Sequence, residues 1–396
     1  MRPLCLALLA ALSFPAAAQD VAEFRRCLAG LRVQAIDKGI APATLDRELG
    51  GLEPDFTVLE RLDYQPEFRS PVWDYLAALV DEQRVEDGRA KLQQHADTLA
   101  EIERRYGVDP ATVVAVWGVE SDFGKNFGSR ALLESLGTLS CFGRRQSYFS
   151  GEFIAALGII DEGSLAAAKL RGSWAGAFGH TQFMPSTYLR LAVDFDGDGR
   201  RDLVDSIPDA LASTANFLKE AGWQPDQPWG FEVTLPAGFD LAGEGRRTKR
   251  PLDEWRARGL VRADGTPLEA GQARAGLVQP ADGGGPAFLV MRNFDAIYAY
   301  NASMSYGLAI AHLADKLRGG GDFVTPWPTD DLPLDRAGRR ELQTLLTARG
   351  HDIGPIDGAI GSRTRAAILA EKRRLGWEET PRAGQKLLNA LRKSAP

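Results

Sequence analysis

The sequence predicts a mainly α-helical protein with a small β-containing insertion and a miniature three-helix bundle at its C-terminal end. Helical spacing of Leu, Val and Ala dominates residues 20–107 and, broken by small residues and turns, residues 108–223. Between 229 and 292 the character changes: strand-like runs alternate with Gly and Pro turns. A Gly- and Pro-rich stretch, 319–328, then sets off a last segment with helical periods of its own. With 396 residues the chain has room for two or three domains at roughly 150 residues each.

The elements follow in order. Arg2, an apolar run and Ala16-Ala-Ala18 read as a secretory signal, residues 1–18, cut after Ala18. Its apolar run is too short to span a bilayer, and no later segment reads as a transmembrane helix. Cys5 lies inside that run and not at its end, which makes it a poor lipidation site. A soluble, exported, periplasmic protein is expected. The formal net charge of −6, without a long basic run, argues against nucleic acid as a partner. After the signal only Cys27 and Cys141 remain; they could pair in an oxidising compartment, and two separate buried thiols are equally open. Four scattered histidines give no zinc spacing. Within the insertion, 230–236 and 288–291 read as strands and 252–259 as a short helix. A long amphipathic helix is expected over 302–317 and a linker over 319–333. The final module, 334–396, should hold helices over 335–349, from about 362, and from about Thr380-Pro381, where Thr can cap and Pro suits the first turn.

The chemistry points first to Glu120. Asp109 can cap its helix, Pro110 fits the first position, and Gly124 is a natural stop. Trp117, Val116 and Val113 lie three, four and seven positions before Glu120, on one helical stripe. A carboxylate among these side chains is partly desolvated, and the negative end of the helix dipole acts the same way. Both effects keep a proton on Glu120 near neutral pH, as a general acid requires. A glutamate bending out to solvent is the plainer alternative. The second block is Arg171-Gly-Ser-Trp-Ala-Gly-Ala-Phe-Gly-His-Thr-Gln-Phe-Met-Pro-Ser-Thr187. Gly172, Gly176 and Gly179 allow close backbone approach, while Ser173 and Gln182 offer polar side chains; a tight helix crossing would explain the same pattern. Its spacing is not that of a nucleotide-binding loop.

Glu120-Ser with Gly124, Gly172-Ser-Trp-Ala-Gly176, Gln182-Phe-Met-Pro-Ser186 and Tyr300-Asn-Ala-Ser303 occur in that order. Together they resemble the lytic murein transglycosylase B family, over nearly the whole chain between signal and linker. The resemblance implies a lysozyme-like (goose-type, transglycosylase) catalytic domain over 19–318, with Glu120 as acid/base. Ser173, Gln182, Tyr300 and Asn301 take the positions that hold the glutamate and the sugar. Phe178 replaces a usual methionine, a packing change. Asn301-Ala-Ser303 also matches a glycosylation acceptor, a coincidence in a bacterial export.

Asp194, Asp196 and Asp198 with Gly199 match positions 1, 3, 5 and 6 of an EF-hand calcium loop, and Arg200 would add a carbonyl. Asp205 stands at position 12, but the family's longer loop makes Asp209 the better closing ligand. Calcium would be structural; the chemistry needs no cofactor. In the C-terminal module, Gly354-Pro-Ile-Asp-Gly-Ala-Ile-Gly-Ser-Arg-Thr364 resembles the peptidoglycan-binding domain of wall enzymes, although its usual Phe-Gln is replaced near Ala370-Glu371. Its removal is expected to weaken wall binding and spare turnover on soluble fragments.

The implied reaction is non-hydrolytic cleavage of the MurNAc-β-1,4-GlcNAc bond of peptidoglycan glycan strands, leaving 1,6-anhydroMurNAc ends. One carboxylic acid suffices, whereas ordinary glycosidases use two. Asp122, the acid nearest in sequence, points off the Glu120 face, but other acids could approach in the folded chain, so the sequence leaves a second carboxylate open. Trp174, Phe123, Tyr188 and Trp229 could line a sugar cleft, each more readily read as core. A hydrolytic muramidase and a non-catalytic wall-binding protein are the alternatives, and a monomer is expected.

Overall fold

The computed structural model describes residues 16–62, 70–282 and 284–394. The expected signal segment lies largely outside them. Among the described residues no helix is long and apolar enough to cross a membrane. The described residues divide into two compact units, one within Met1–Tyr64 and Phe127–Ser206 and the other within Gln65–Asn126 and Ile207–Pro396.

The first unit is helical. Its longer members are Ala16–Asp37, Pro42–Leu49, Leu132–Phe142, Gln146–Asp161 and Pro185–Leu191. Phe24, Leu28, Leu136, Leu139, Phe153 and Leu157 pack between them. Cys27 and Cys141 form a disulfide with Cα atoms 5.8 Å apart, which decides the question their positions left open. Two very short strands, Arg130–Ala131 and Arg171–Gly172, pair antiparallel. They carry the second motif block out of helical geometry, so that block is a series of turns and not a helix crossing.

The second unit holds the helices Val72–Leu79, Glu82–Gln94, Ala96–Tyr106, Pro110–Ser121, Ile207–Glu220 and Met304–Leu317. Ser303 caps the last of these on the Tyr306 amide. The insertion is a five-stranded antiparallel sheet. Gly230–Thr234 and Ala287–Val290 pair as neighbours, Phe231 opposite Leu289, and the helix Leu252–Ala257 lies where the sequence places it. Lys249–Pro251, Val261–Arg262 and Arg274–Val278 complete the sheet. Sequence patterning misses these three because two are too short to show a period and Arg274–Val278 is buried on both faces after its first residue. Trp255 fixes the covering helix by donating its indole N–H to the Ala275 carbonyl, 2.8 Å away.

The C-terminal module packs Leu342, Leu346, Ile353, Ile368, Leu387, Leu388 and Leu391 into its own core. Its first two helices, Arg336–Ala348 and Ser362–Arg374, agree with the sequence reading, and Asp335 caps the first. The third begins at Gln385 and not at Thr380-Pro381. There the Gln385 amide donates to the Leu332 carbonyl and the Lys386 amide to Asp331, while Arg382 reaches to Asp331 and Asp74. Backbone pairing with residue 332 therefore sets the helix start, overriding the Thr-Pro signal. Buried Gln343 ties down the Gly354 turn: it donates to Asp357 and the Ala359 carbonyl and accepts from the Gly358 amide. Glu371, where the usual Phe-Gln is missing, is buried against His351 and Arg374. Burial works to raise its pKa, but the bonds from His351 and Arg374 outweigh it and hold the carboxyl below its ordinary value.

Candidate active site

The Glu120 helix starts as the sequence predicts. Asp109 accepts from the Thr112 amide at 3.1 Å, and Pro110 occupies the first turn. Its end is different. The helix stops at Ser121, and Asp122 caps it in the left-handed region at φ 52°, with Phe123 (φ 59°) and Gly124 (φ 83°) continuing that conformation. The chain reverses before Gly124 because Phe123 folds back onto the helix, its ring 5.8 Å from that of Trp117. Gly118 makes room: a Cβ there would lie 2.7 Å from the Phe123 ring.

Val113, Val116 and Trp117, the stripe behind Glu120, are all fully buried. The burial extends beyond that stripe: from Ala111 to Gly118 the helix is buried on every side and has no polar face. It packs against Met304–Leu317 and Glu82–Gln94. Only the last turn emerges, and there Glu120 is half-buried. The Tyr306 hydroxyl donates to Glu120 Oε1. Tyr306 is 2% exposed, and burial first, then the Glu120 charge, push its pKa well above the ordinary phenol value. It therefore remains a donor. Tyr300 stacks on Tyr306 with ring centroids 6.4 Å apart and meets Phe217 at 4.5 Å. Asn301 follows, half-buried, in the bend before Ser303. Glu120 and Tyr300 thus converge on Tyr306, a residue the motif reading passed over. Its one local signal is the Ser303 cap, which places Tyr306 in the first turn of its helix. Asp122 is turned to guanidinium groups: Arg84 Nη2 at 3.2 Å and Arg336 Nη1 at 3.0 Å.

Ser173 and Gln182 belong to the first unit. Ser173 Oγ accepts from the Ala177 amide at 3.0 Å, while its own amide donates to the Ala177 carbonyl at 2.8 Å. Gln182 has a positive φ of 50°, and its side-chain amide donates to the carbonyls of Gly179 at 2.9 Å and Phe127 at 3.2 Å. A non-glycine residue in that region is strained, the mark of a position fixed by its surroundings. Gly172 is required here, since a Cβ would sit 2.0 Å from the Ala177 carbonyl oxygen. Of the four aromatic cleft candidates, Tyr188, Trp229 and Phe123 are core residues at 0%, 4% and 5% exposure; Trp174 alone is half-buried.

The acidic loop of the first unit folds around its own amides. Asp194 accepts from the Gly197 and Gly199 amides at 2.8 and 2.9 Å, Asp196 from Asp198, and Asp198 from Arg200. Gly197 and Gly199 both take positive φ. Asp205 is paired with Lys169 at 2.6 Å, with both side chains about half exposed. Asp209 is wholly buried in the first turn of Ile207–Glu220, the helix into which the loop runs. An all-oxygen donor set of this kind suits a hard cation such as calcium.

Residues 23–315 match the transglycosylase SLT domain family, and residues 335–391 match the putative peptidoglycan binding domain. Membrane-bound lytic murein transglycosylase B of Escherichia coli K12 is 34% identical over 242 residues; the match spans 60% of this chain and 65% of that relative's length. SltB3 of Pseudomonas aeruginosa, solved with a NAG-anhNAM-pentapeptide, is 47% identical, with a TM-score of 0.75 over 93% of this chain and 99% of that one. Slt35 of Escherichia coli, solved with calcium, is 30% identical, with a TM-score of 0.64 over 75% of this chain and 92% of that one. By the match over most of its length, the chain belongs to the transglycosylase SLT domain family.

Proposed function

We propose that this protein is a periplasmic lytic transglycosylase that cleaves the MurNAc-β-1,4-GlcNAc bond of peptidoglycan without water, using Glu120 first as acid and then as base. The observation that carries the reading is the pairing of a half-buried Glu120 with a fully buried tyrosine hydroxyl, Tyr306. Protonated, Glu120 can donate to the glycosidic oxygen. Ionised, it keeps a donor aimed at Oε1, which stabilises the charge formed by proton transfer. The carboxylate then takes the proton of the sugar's own C6 hydroxyl, which attacks C1 and closes the 1,6-anhydro ring. A tethered nucleophile has a high effective concentration, so no water need be activated. Asp122 is a poor second carboxylate for hydrolysis because Arg84 and Arg336 already engage it. The Cys27–Cys141 bond supports an oxidising compartment. Ser173, Gln182, Tyr300 and Asn301 are proposed to hold the glutamate and the sugar.

Mass spectrometry of digested wall fragments tests the reaction. The expected main product is lighter by one water than a reducing-end muramic acid fragment. A reducing-end main product would favour hydrolysis and reject the transglycosylase reading. Glu120→Gln should fail to clear purified sacculi; clearance at the wild-type rate would make the chain a wall binder with some other catalytic group or none.

The Asp194 loop is proposed as a structural calcium site, with Asp194, Asp196, Asp198, the Arg200 carbonyl and Asp209 as ligands. The observation in favour is the turn geometry of the three loop carboxylates, Asp194, Asp196 and Asp198. Chelation should lower the melting temperature and added calcium restore it; identical melting with and without the ion would leave a bare turn.

A further inference from the structure

The turn that ends the Glu120 helix is held from outside. Asp122 and Phe123 are consecutive non-glycine residues at positive φ, a strained conformation that needs external support. The support comes through the Asp122 carboxylate. Arg84 reaches Oδ1 through Nε at 3.3 Å and Nη2 at 3.2 Å, while Arg336 grips both oxygens, Nη1 to Oδ2 and Nη2 to Oδ1, each at 3.0 Å. Arg336 is the first residue of the first helix of the C-terminal module. Its Nε also lies 3.4 Å from Asp81, the residue that caps the helix Glu82–Gln94. Nearby, Arg382 of the same module makes a two-pronged bond to Asp74. The Arg336 side chain is only 14% exposed, so this is a seated contact and not a surface pairing.

We propose that Arg336 is a positioning residue for Glu120: through Asp122, the C-terminal module locks the reversed turn that fixes the last helical turn of the catalytic helix. Glu120 lies two positions before Asp122, and the same turn folds Phe123 onto Trp117 and Gly118 directly behind it. Without Arg336, Asp122 keeps one guanidinium partner and the strained pair at 122 and 123 is free to relax. The last turn then loosens and the Glu120 carboxyl drifts from the Tyr306 hydroxyl. The module therefore serves turnover as well as wall binding, against the expectation that its loss spares soluble fragments. This inference rests on Glu120 being the acid/base.

Full-length variants on soluble glycan-strand fragments separate kcat from KM, with sacculus binding followed alongside. Arg336→Met should lower kcat about tenfold, within the roughly hundredfold that a 1 Å misplacement can cost, with KM and sacculus binding unmoved. Arg336→Lys keeps the charge without the forked geometry and should recover part of the loss. Asp122→Asn should slow turnover similarly, and the double variant should be no slower than the worse single one, since both break one interaction. Arg392→Met breaks the exposed Arg392–Glu341 pair inside the same module and should match wild type. Wild-type kcat in Arg336→Met, or losses that multiply in the double variant, would overturn the proposal. If Arg336→Met does not fold, Arg336→Lys and Asp122→Asn decide: wild-type kcat in either overturns it, and a loss in both upholds it. Glu120→Gln is run in parallel. Activity there sinks the acid/base reading itself, whereas an inactive Glu120→Gln beside a wild-type Arg336→Met sinks only the positioning role.

Discussion

Tyr306 holds one oxygen of Glu120 from a site that water does not reach. Its hydroxyl contributes most once Glu120 has given up its proton, because a hydrogen bond to a charged acceptor is worth about 1.5–3 kcal/mol. Tyr306→Phe should therefore lower kcat by roughly tenfold to a hundredfold while leaving KM nearly unchanged. A fall confined to KM would assign Tyr306 to sugar binding instead. Gly172→Ala tests the other motif block. The added methyl would meet the Ala177 carbonyl in backbone and not a yielding side chain, so a loss of about 3 kcal/mol in urea-unfolding stability is expected. Wild-type stability would mean that the turn has slack. At this scale the sequence is informative about Glu120 because helix caps and motif order are local signals. It is silent on Tyr306 and Arg336, which lie 186 and 214 positions from their partners and meet them only through packing.

Among the elements, the helix Met304–Leu317 carries a buried histidine besides Tyr306. His312 stacks on Phe323 with centroids 4.1 Å apart, and burial pushes its pKa down to about 4, with Lys316 adding to the effect and Asp322 opposing it. The free side chain titrates near 6.5. Between these values the unfolded chain binds more protons than the folded one. The stability that depends on neutral His312 is therefore complete above pH 6.5 and drains as pH falls toward 4. His312→Phe should remove about 2–3 kcal/mol of the acid-induced loss across that window, read from urea midpoints at neutral and acid pH. An unchanged pH slope would show that the ring is solvated. Element boundaries were legible where caps are made by side chains, as at Asp109, Ser303 and Asp335. They were not where backbone pairing at a distance decides, as at Gln385, or where strands span two or three residues, as at Val261–Arg262 and Lys249–Pro251.

On the scale of the whole molecule, the covalent link between Cys27 and Cys141 closes a loop with a sequence separation of 114. Loop entropy alone assigns such a bond about 4–5 kcal/mol, so Cys27→Ser should lower the melting temperature strongly, and reductant should do the same to wild type. Equal melting in all three would make the bond incidental. Sequence spacing could not settle this pairing, since only folded geometry brings the two helices to bonding distance. The same bond joins the two chain segments of the first unit across everything between them, including the whole excursion 65–126 that builds part of the second. A protease that nicks the backbone once anywhere from residue 28 to 140 would consequently yield no separate pieces. The clipped protein should run as one band on a denaturing gel and fall into two only when thiol is added.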